Sequence, residues 1–233
     1  DNPKGKLTLT HKTAGEIIPY STIKNLVLDV IFNSSDTNPL DDKKISISVG
    51  DANYLPLTGH YYQYIPWPSG TAEANKKWTD ARSEAERKSY YGLKGYLATL
   101  IYKEEGEIAT TQTRGNGWIG GADSNQEGKW EWVTGPEGRI HFWDGNYLDG
   151  VNVCDNLNGN CTSVNDINGN PYYHNWATRE PNDYNSSRGW NEDYAHVYRN
   201  NGKWNDYPND SRIASGTINA NVDGYIIEYG GSP

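Results

Sequence analysis

The aromatic content of this chain is the feature that most constrains its fold. Its 233 residues include 9 Trp and 18 Tyr but only 2 Phe and no Met. Trp and Tyr combine a large apolar surface with a polar edge. Such a chain can fill a core, although a mean hydropathy of −0.87 requires a very polar surface. The length fits one or two domains, and a first residue other than Met leads us to expect a larger parent polypeptide.

The charge of the chain narrows the classes of partner. A net charge of −9 argues against nucleic acids and anionic membranes as ligands. The sequence contains no run of about 18 apolar residues, which a membrane-spanning helix would need. We therefore expect no membrane insertion. An excess of carboxylates beside many Asn and Gly residues instead suits hard cations, which prefer oxygen ligands.

The two cysteines, Cys154 and Cys161, lie in a polar stretch. They form either a small disulfide-closed loop, which would fit an oxidising compartment, or two free thiols. Two cysteines alone do not decide between these alternatives.

Residues 1–57 are predicted to be rich in β-strands. Residues 25–32 form a mostly apolar run, and apolar residues alternate with Ser at 45–49, as in a half-buried strand. Three or four strands are few for a sandwich of about 100 residues. The segment is therefore either part of a split β-sandwich domain or a module that packs on its neighbour.

The pattern changes after residue 71. Four residues with helical spacing predict one face of an amphipathic helix that ends near Gly92, namely Ala74, Trp78, Ala81 and Ala85. A short strand at 96–100 and a weaker helix at 104–111 follow. Short apolar runs then predict strands at 118–119, 130–133, 194–198 and 225–229. This order indicates an α+β arrangement.

The stretch 144–175 lacks periodicity, and loops of this length are usually functional or mobile. It contains two Asp- and Asn-rich runs, 155–160 and 166–170. The second resembles half of a calcium loop without the distal Glu, so it is either an ion site or a hydrogen-bonded turn. The N-terminal region contains another acidic cluster, formed by Asp36, Asp41, Asp42 and Asp51. This cluster is either a site for a third calcium ion or a solvated acidic turn.

Three polar segments carry the chemistry: residues 123–128, residues 180–183 with 191–193, and residues 204–206. Together they supply Asp, Glu and Asn oxygens in Gly-rich surroundings. Calcium takes six to eight such oxygens. The side-chain oxygens of these segments are suitable calcium ligands if the fold brings them together.

In that order and spacing, the motifs resemble a C-type lectin-like domain over about residues 58–229, similar to the lectin modules of bacterial RTX-type surface adhesins. The landmarks after the Trp78 helix are Gly95-Tyr96-Leu97-Ala98-Thr99, Trp118-Ile119-Gly120, Trp130-Glu131-Trp132, Glu180-Pro181-Asn182, Glu192-Asp193, Trp204-Asn205-Asp206 and 225–229. The resemblance implies an α+β C-type lectin fold at 58–233, with two helices, small antiparallel sheets and long calcium-binding loops. It also implies a cis Glu180-Pro181 bond.

The resemblance also assigns ligands to two calcium ions. For the sugar-binding ion it implies Glu180, Asn182, Glu192, Asn205 and Asp206. For an auxiliary ion it implies Asp123, Glu127, Asp183 and Asp193, with the backbone carbonyl of Glu192.

The implied function is calcium-dependent binding of vicinal sugar hydroxyls, without cleavage, by a secreted or cell-surface adhesin whose partners are cell-surface glycans. Glu-Pro-Asn resembles the form that prefers mannose, glucose, N-acetylglucosamine or fucose, whereas the galactose form carries Gln-Pro-Asp. The alternative is a protein- or ice-binding module on the same fold. A glycosidase is disfavoured, because each candidate carboxylate is better explained as a calcium ligand.

Several aromatic and imidazole side chains have competing interpretations. Tyr184 and Trp190 either flank the bound sugar or pack within their loop. Five Trp residues are predicted to be core rather than a sugar-stacking platform, namely Trp118, Trp130, Trp132, Trp143 and Trp176, and Trp204 is predicted to be buried as well. The five His residues show no metal-ligand spacing, so packed or solvated imidazoles are expected.

Overall fold

The computed structural model describes residues 51–72, 75–111, 113–145, 161–183, 191–209 and 222–231. Most of the predicted β-rich segment at 1–57 lies outside these residues, and the division after residue 57 remains a prediction. The strand at Asn53–Leu55, on the N-terminal side of that position, pairs with the strand that follows it.

Two α-helices occur in the described part of the chain, α1 at Trp78–Glu86 and α2 at Lys103–Thr110. Helix α1 buries Trp78, Ala81 and Ala85, whose spacing places them on one face. The fourth predicted position, Ala74, lies outside the described residues. Neither helix is long and apolar enough to cross a membrane.

Helix α1 ends earlier than the expected position near Gly92 because a β-hairpin takes up the intervening residues. Strand β3 (Ser89–Tyr90) pairs with strand β4 (Leu93–Leu97). Tyr91 and Gly92 form the connection, with φ values of 50° and 84°. Positive φ at both central residues is the geometry of a tight hairpin turn.

The strands form one connected network with mixed directions. The remaining strands are β1 (Asn53–Leu55), β2 (His60–Pro66), β5 (Asn116–Ala122), β6 (Lys129–Trp132), β7 (His141–Gly145), β8 (Cys161–Ser163), β9 (Tyr194–Val197), β10 (Trp204–Tyr207) and β11 (Val222–Gly231). The main order is β1-β2-β11-β5-β6-β7-β8. Strand β11 runs parallel to β5, and the other named pairs are antiparallel. The predicted α+β class with two helices is confirmed.

The six Trp residues predicted to be core are buried, which confirms that prediction. Their rings contact one another: Trp130 and Trp176 meet edge to face at 4.7 Å between centroids, and Trp132 stacks on Phe142 at 4.7 Å. Such aromatic pairs contribute beyond the area they bury. Because Trp204 belongs to the same cluster, the residues that follow it on β10 start from a fixed position.

Strand β5 leaves no room for a side chain at Gly120. A Cβ atom there would lie 1.9 Å from the Thr134 hydroxyl oxygen and 2.8 Å from the Leu97 carbonyl oxygen. At the neighbouring Gly121, the nearest atom to such a Cβ is the Ala195 methyl at 3.3 Å.

We therefore expect Gly120→Ala to lower the free energy of unfolding by about 1–3 kcal/mol, because overpacking forces the backbone apart. Urea denaturation would measure the change, with Gly121→Ala as the matched control and a smaller loss expected there. Equal losses for the two variants would contradict the packing described for β5.

Candidate functional site

The three polar segments converge on one small cleft. Its lining includes Asp123 and Glu127 from the loop after β5, Pro181 and Asp183 from the segment before β9, and Asp206 from β10. Residues separated by more than 80 positions in the sequence therefore share one site. Trp130 and two Gly residues complete the walls.

Backbone hydrogen bonds hold the second segment beside β10. The Trp204 N–H donates to the Asn175 carbonyl at 2.9 Å, and the Ala177 N–H donates to the Trp204 carbonyl at 2.8 Å. The Glu180 N–H then donates to the Ala177 carbonyl at 3.1 Å. The Glu180-Pro181 bond is cis, as the resemblance implies.

Asp206 ties that segment to β10 by its side chain. Its Oδ2 atom accepts the backbone N–H groups of Asn182 at 2.8 Å and Asp183 at 2.6 Å. Asp183 in turn accepts the Glu192 N–H at 3.0 Å. Charge-assisted bonds of this kind are stronger than neutral ones, so Asp206 fixes where the neighbouring carboxylates lie.

The first segment joins the same set through its backbone. The Asp123 N–H donates to the Asp193 carbonyl at 3.1 Å, and Asp123 Oδ2 accepts the Gly128 N–H at 2.9 Å. These bonds close the loop after β5 and bring Asp123 beside Asp193.

Three buried oxygens in this site lack a hydrogen-bond partner in the part of the chain that the structure describes: Asp123 Oδ1, Asn182 Oδ1 and Asp206 Oδ1. Each belongs to a different segment. An unsatisfied buried polar atom costs about 1–3 kcal/mol, so native proteins seldom retain one without a reason. Convergent oxygens of this type are the ligands that a calcium ion takes.

Burial and mutual repulsion shift the carboxyl groups of the site. Burial raises the pKa of Asp123, and the Glu127 charge raises it further. Burial likewise raises the pKa of Glu180, with the Asp206 charge as the next cause. The pKa values of Glu127, Asp193 and Asp206 are also raised, chiefly by burial. These shifts show that the site disfavours its own negative charge.

His196 is a site residue that the sequence analysis treated only as packed or solvated. It lies on β9 directly opposite Asn205 on β10. The imidazole is completely buried, which lowers its pKa to about 4 and keeps it neutral. Its Nε2 lies 3.3 Å from the Asn205 amide nitrogen, which also donates to the Asp206 carbonyl. His196 therefore orients Asn205, and only the β9–β10 register reveals this.

Tyr198 is a second residue that the sequence analysis missed. Burial raises the pKa of its phenol, followed by the charges of Glu180, Asp206 and Glu192. Its ring packs edge to face on His196, with 5.1 Å between the ring centroids. Tyr184 and Trp190, the aromatic residues predicted to flank the bound sugar, lie outside the described residues.

Two other regions were predicted as candidate ion sites, the stretch 144–175 and the acidic cluster that includes Asp51. Asp166 forms a hydrogen-bonded turn, in which Oδ1 accepts the N–H groups of Asn168 and Asn170 at 2.8 Å. Asp51 is exposed, while the rest of its acidic cluster, the run 155–160 and Cys154 lie outside the described residues, as does the Cys161 side chain.

Comparisons with known proteins add two sequence relatives, and no protein-family model matches the chain. Halomucin of Haloquadratum walsbyi is 32% identical over 210 residues, or 87% of this chain but 2% of halomucin. Hepatic lectin of Gallus gallus is 28% identical over 130 residues, or 55% of this chain and 43% of that protein. The chain thus spans less than half the length of either relative.

Several solved structures share part of the architecture at low identity. The carbohydrate-recognition domain of the mouse scavenger receptor C-type lectin has a TM-score of 0.44 at 21% identity, covering 78% of this chain and 93% of that one. A calcium-independent type II antifreeze protein has a TM-score of 0.44 at 15% identity, covering 80% and 97%.

The raised carboxyl pKa values predict how stability depends on pH. Without calcium, the buried carboxyl groups of the folded chain keep their protons above about pH 4. The same groups in the unfolded chain have lost their protons at that pH. The free energy of unfolding should therefore fall as the pH rises from about 5 to 8.

Calcium should reduce this fall because it replaces the protons, and one ion at a hundredfold excess over its Kd adds about 2.7 kcal/mol. Thermal melts across pH, with and without chelator, would measure both effects. A melting temperature that ignores chelator at every pH would contradict a calcium site.

Proposed function

We propose that this chain is a calcium-dependent carbohydrate-binding module of the C-type lectin kind, which binds sugars without cleaving them. One observation carries the proposal: three distant segments bring buried carboxylate and amide oxygens together at one cleft, and three of these oxygens accept no N–H or hydroxyl group in the described residues. A cation would satisfy these oxygens and offset the charges that raise the carboxyl pKa values.

Two ions fit the distribution of donors. Around Asp206 and Asn182, the sugar-binding ion would be held by Glu180, Asn182, Glu192, Asn205 and Asp206. Around Asp123, the auxiliary ion would be held by Asp123, Glu127, Asp183 and Asp193. Asp183 joins the two groups, since its N–H donates to Asp206 and its carboxylate accepts from Glu192.

Sugar recognition would use pairs of acids and amides at the first ion. A sugar hydroxyl has one proton to donate and two lone pairs. When bound, calcium would supply a Lewis acid that accepts lone pairs from two vicinal hydroxyls. Glu180 and Glu192 would accept the hydroxyl protons, and the amides of Asn182 and Asn205 would donate to the oxygens.

These amides are engaged before any sugar arrives. The Asn182 amide donates to the Glu180 carboxylate, and the Asn205 amide is held between the Asp206 carbonyl and His196. Sugar binding must exchange some of these bonds for bonds to hydroxyls. The expected affinity for one monosaccharide is therefore weak, on the order of 0.1–10 mM, and strong adhesion would need several copies.

The relatives support a place in a longer protein. The chain matches 2% of halomucin, so modules of this kind occur within much larger polypeptides. The match to hepatic lectin covers over half of this chain. We propose a secreted or cell-surface adhesin whose partners are cell-surface glycans.

A single substitution separates calcium binding from folding. Asp206→Asn keeps one acceptor oxygen for the two backbone N–H groups but removes the charge. We expect calcium-dependent retention on mannose-agarose to be lost, because the ion loses a carboxylate ligand. Asp144→Asn is the matched control, since Asp144 is exposed and pairs with His141 at 2.9 Å.

Three outcomes are distinguishable. Retention of the wild type only in calcium supports the proposal. Retention of Asp206→Asn at wild-type strength would refute the assigned site. Calcium binding without retention on any sugar resin or glycan array would favour the alternative, a protein- or ice-binding module.

The order of acid and amide should set sugar preference. We expect the double variant Glu180→Gln with Asn182→Asp to shift binding from mannose toward galactose by about tenfold, or 1.4 kcal/mol. Glycan-array intensities in calcium would measure the ratio. An unchanged ratio, with calcium binding intact, would show that these side chains do not contact the sugar hydroxyls.

A further inference from the structure

A second set of polar side chains lies apart from the cleft described above, on β2, on β11 and in the turn between β6 and β7. One ligand atom each from His60, Glu137 and Glu228 lies within 4.8 Å of the others. We call these three residues the His60 cluster. Glu228 is completely buried, whereas 19% of the His60 side chain is exposed.

Hydrogen bonds within the His60 cluster do not balance its charge. His60 Nδ1 lies 2.5 Å from Glu228 Oε1. The Thr99 hydroxyl lies 2.9 Å from Glu137 Oε2 and 3.1 Å from Glu228 Oε2, and its single proton serves only one of them. Glu228 Oε2 also accepts the Thr99 backbone N–H at 2.9 Å, so the two carboxylates share one imidazole, one hydroxyl proton and one backbone N–H.

A third carboxylate increases the imbalance. Glu105 is 2% exposed and accepts the Tyr62 hydroxyl at 2.7 Å, and Tyr62 also lies 3.3 Å from Glu228. The Glu105 carboxylate also accepts hydrogen bonds from two backbone N–H groups at the start of α2. Burial raises the pKa of Glu105, and the Glu228 charge raises it further. A metal-bound His60 would be neutral, so the three carboxylates carry up to three negative charges, of which one divalent cation would offset two.

Tyr96 adds a buried phenol to the same region. It is 4% exposed, and the backbone at Gly135 closely approaches both its ring and Glu137 Oε2. Its pKa is raised by burial and then by the charges of Glu228 and Glu137, and its hydroxyl faces the Glu228 side chain. A neutral phenol donates a hydrogen bond to a carboxylate but supplies none of the positive charge that the carboxylates lack.

Two glycines form the walls that hold these side chains. A Cβ at Gly230 would lie 2.4 Å from ring atoms of His60. A Cβ at Gly135 would lie 2.4 Å from the Tyr96 ring and 3.0 Å from Glu137 Oε2. Only glycine at these two positions lets the imidazole, the phenol and the carboxylate approach the backbone so closely.

We propose that the His60 cluster binds a divalent transition-metal cation of the zinc class, through an imidazole nitrogen of His60 and carboxylate oxygens of Glu137 and Glu228. Imidazole is a good ligand for zinc, nickel and copper, while calcium takes oxygen ligands. His60 thus separates this site from the calcium cleft by metal type. The exposed part of His60 gives the ion a route of entry.

Isothermal titration of Zn²⁺ into the whole chain, first freed of metal and then saturated with Ca²⁺, tests the proposal. We expect one saturable Zn²⁺ site in the wild type. His60→Gln and Glu137→Gln should each weaken it by about tenfold or more, because each removes a ligand. His141→Gln is the matched control, since His141 is another partly exposed imidazole paired with a carboxylate.

Other results would overturn the proposal. Equal Zn²⁺ affinity in the wild type and in His60→Gln would place the ion elsewhere, and a sulfur charge-transfer band with Co²⁺ would assign it to Cys154 or Cys161. No saturable Zn²⁺ binding by a folded wild type would mean that protons balance the cluster. Should His60→Gln unfold, as checked by circular dichroism, Glu137→Gln decides the question. Calcium-dependent retention of both variants on mannose-agarose reports separately on the proposed lectin function.

Discussion

The site depends on the Asp206 carboxylate, which accepts two backbone N–H groups from the Asn182-Asp183 dipeptide. One oxygen of Asp206 thereby fixes a loop against β10, and the other remains buried without a hydrogen bond in the described structure. The strand itself is fixed because Trp204, two residues earlier, lies in the aromatic core. Core packing, loop position and the placement of the candidate ion ligands are therefore linked through three consecutive residues.

Excess buried negative charge is common to the cleft and the His60 cluster. Burying a carboxylate costs free energy unless protons, hydrogen bonds or cations compensate it. In the cleft the compensation proposed is calcium, since the available donors are oxygens. In the His60 cluster an imidazole stands among the carboxylates, which changes the class of metal. The two regions share no residues.

Predictions from sequence succeeded where local patterns dominate. The spacing of Trp78, Ala81 and Ala85 specified the buried face of α1, and the Trp landmarks specified the core. They were less accurate at element ends. Helix α1 ends at Glu86 because the turn at Tyr91-Gly92 closes a hairpin, and hairpin pairing outweighs the helical preference of Arg87 and Lys88.

The sequence by itself determined the chemistry of the donors: three segments rich in Asp, Glu and Asn, in an order that resembles a C-type lectin-like domain. Only the tertiary structure decided which of their oxygens converge and remain unpartnered. It also placed His196 opposite Asn205 and brought His60, Glu137 and Glu228 together. Residue types and spacing follow from the linear chain, whereas contacts between residues up to 168 positions apart depend on strand pairing and burial across the whole fold.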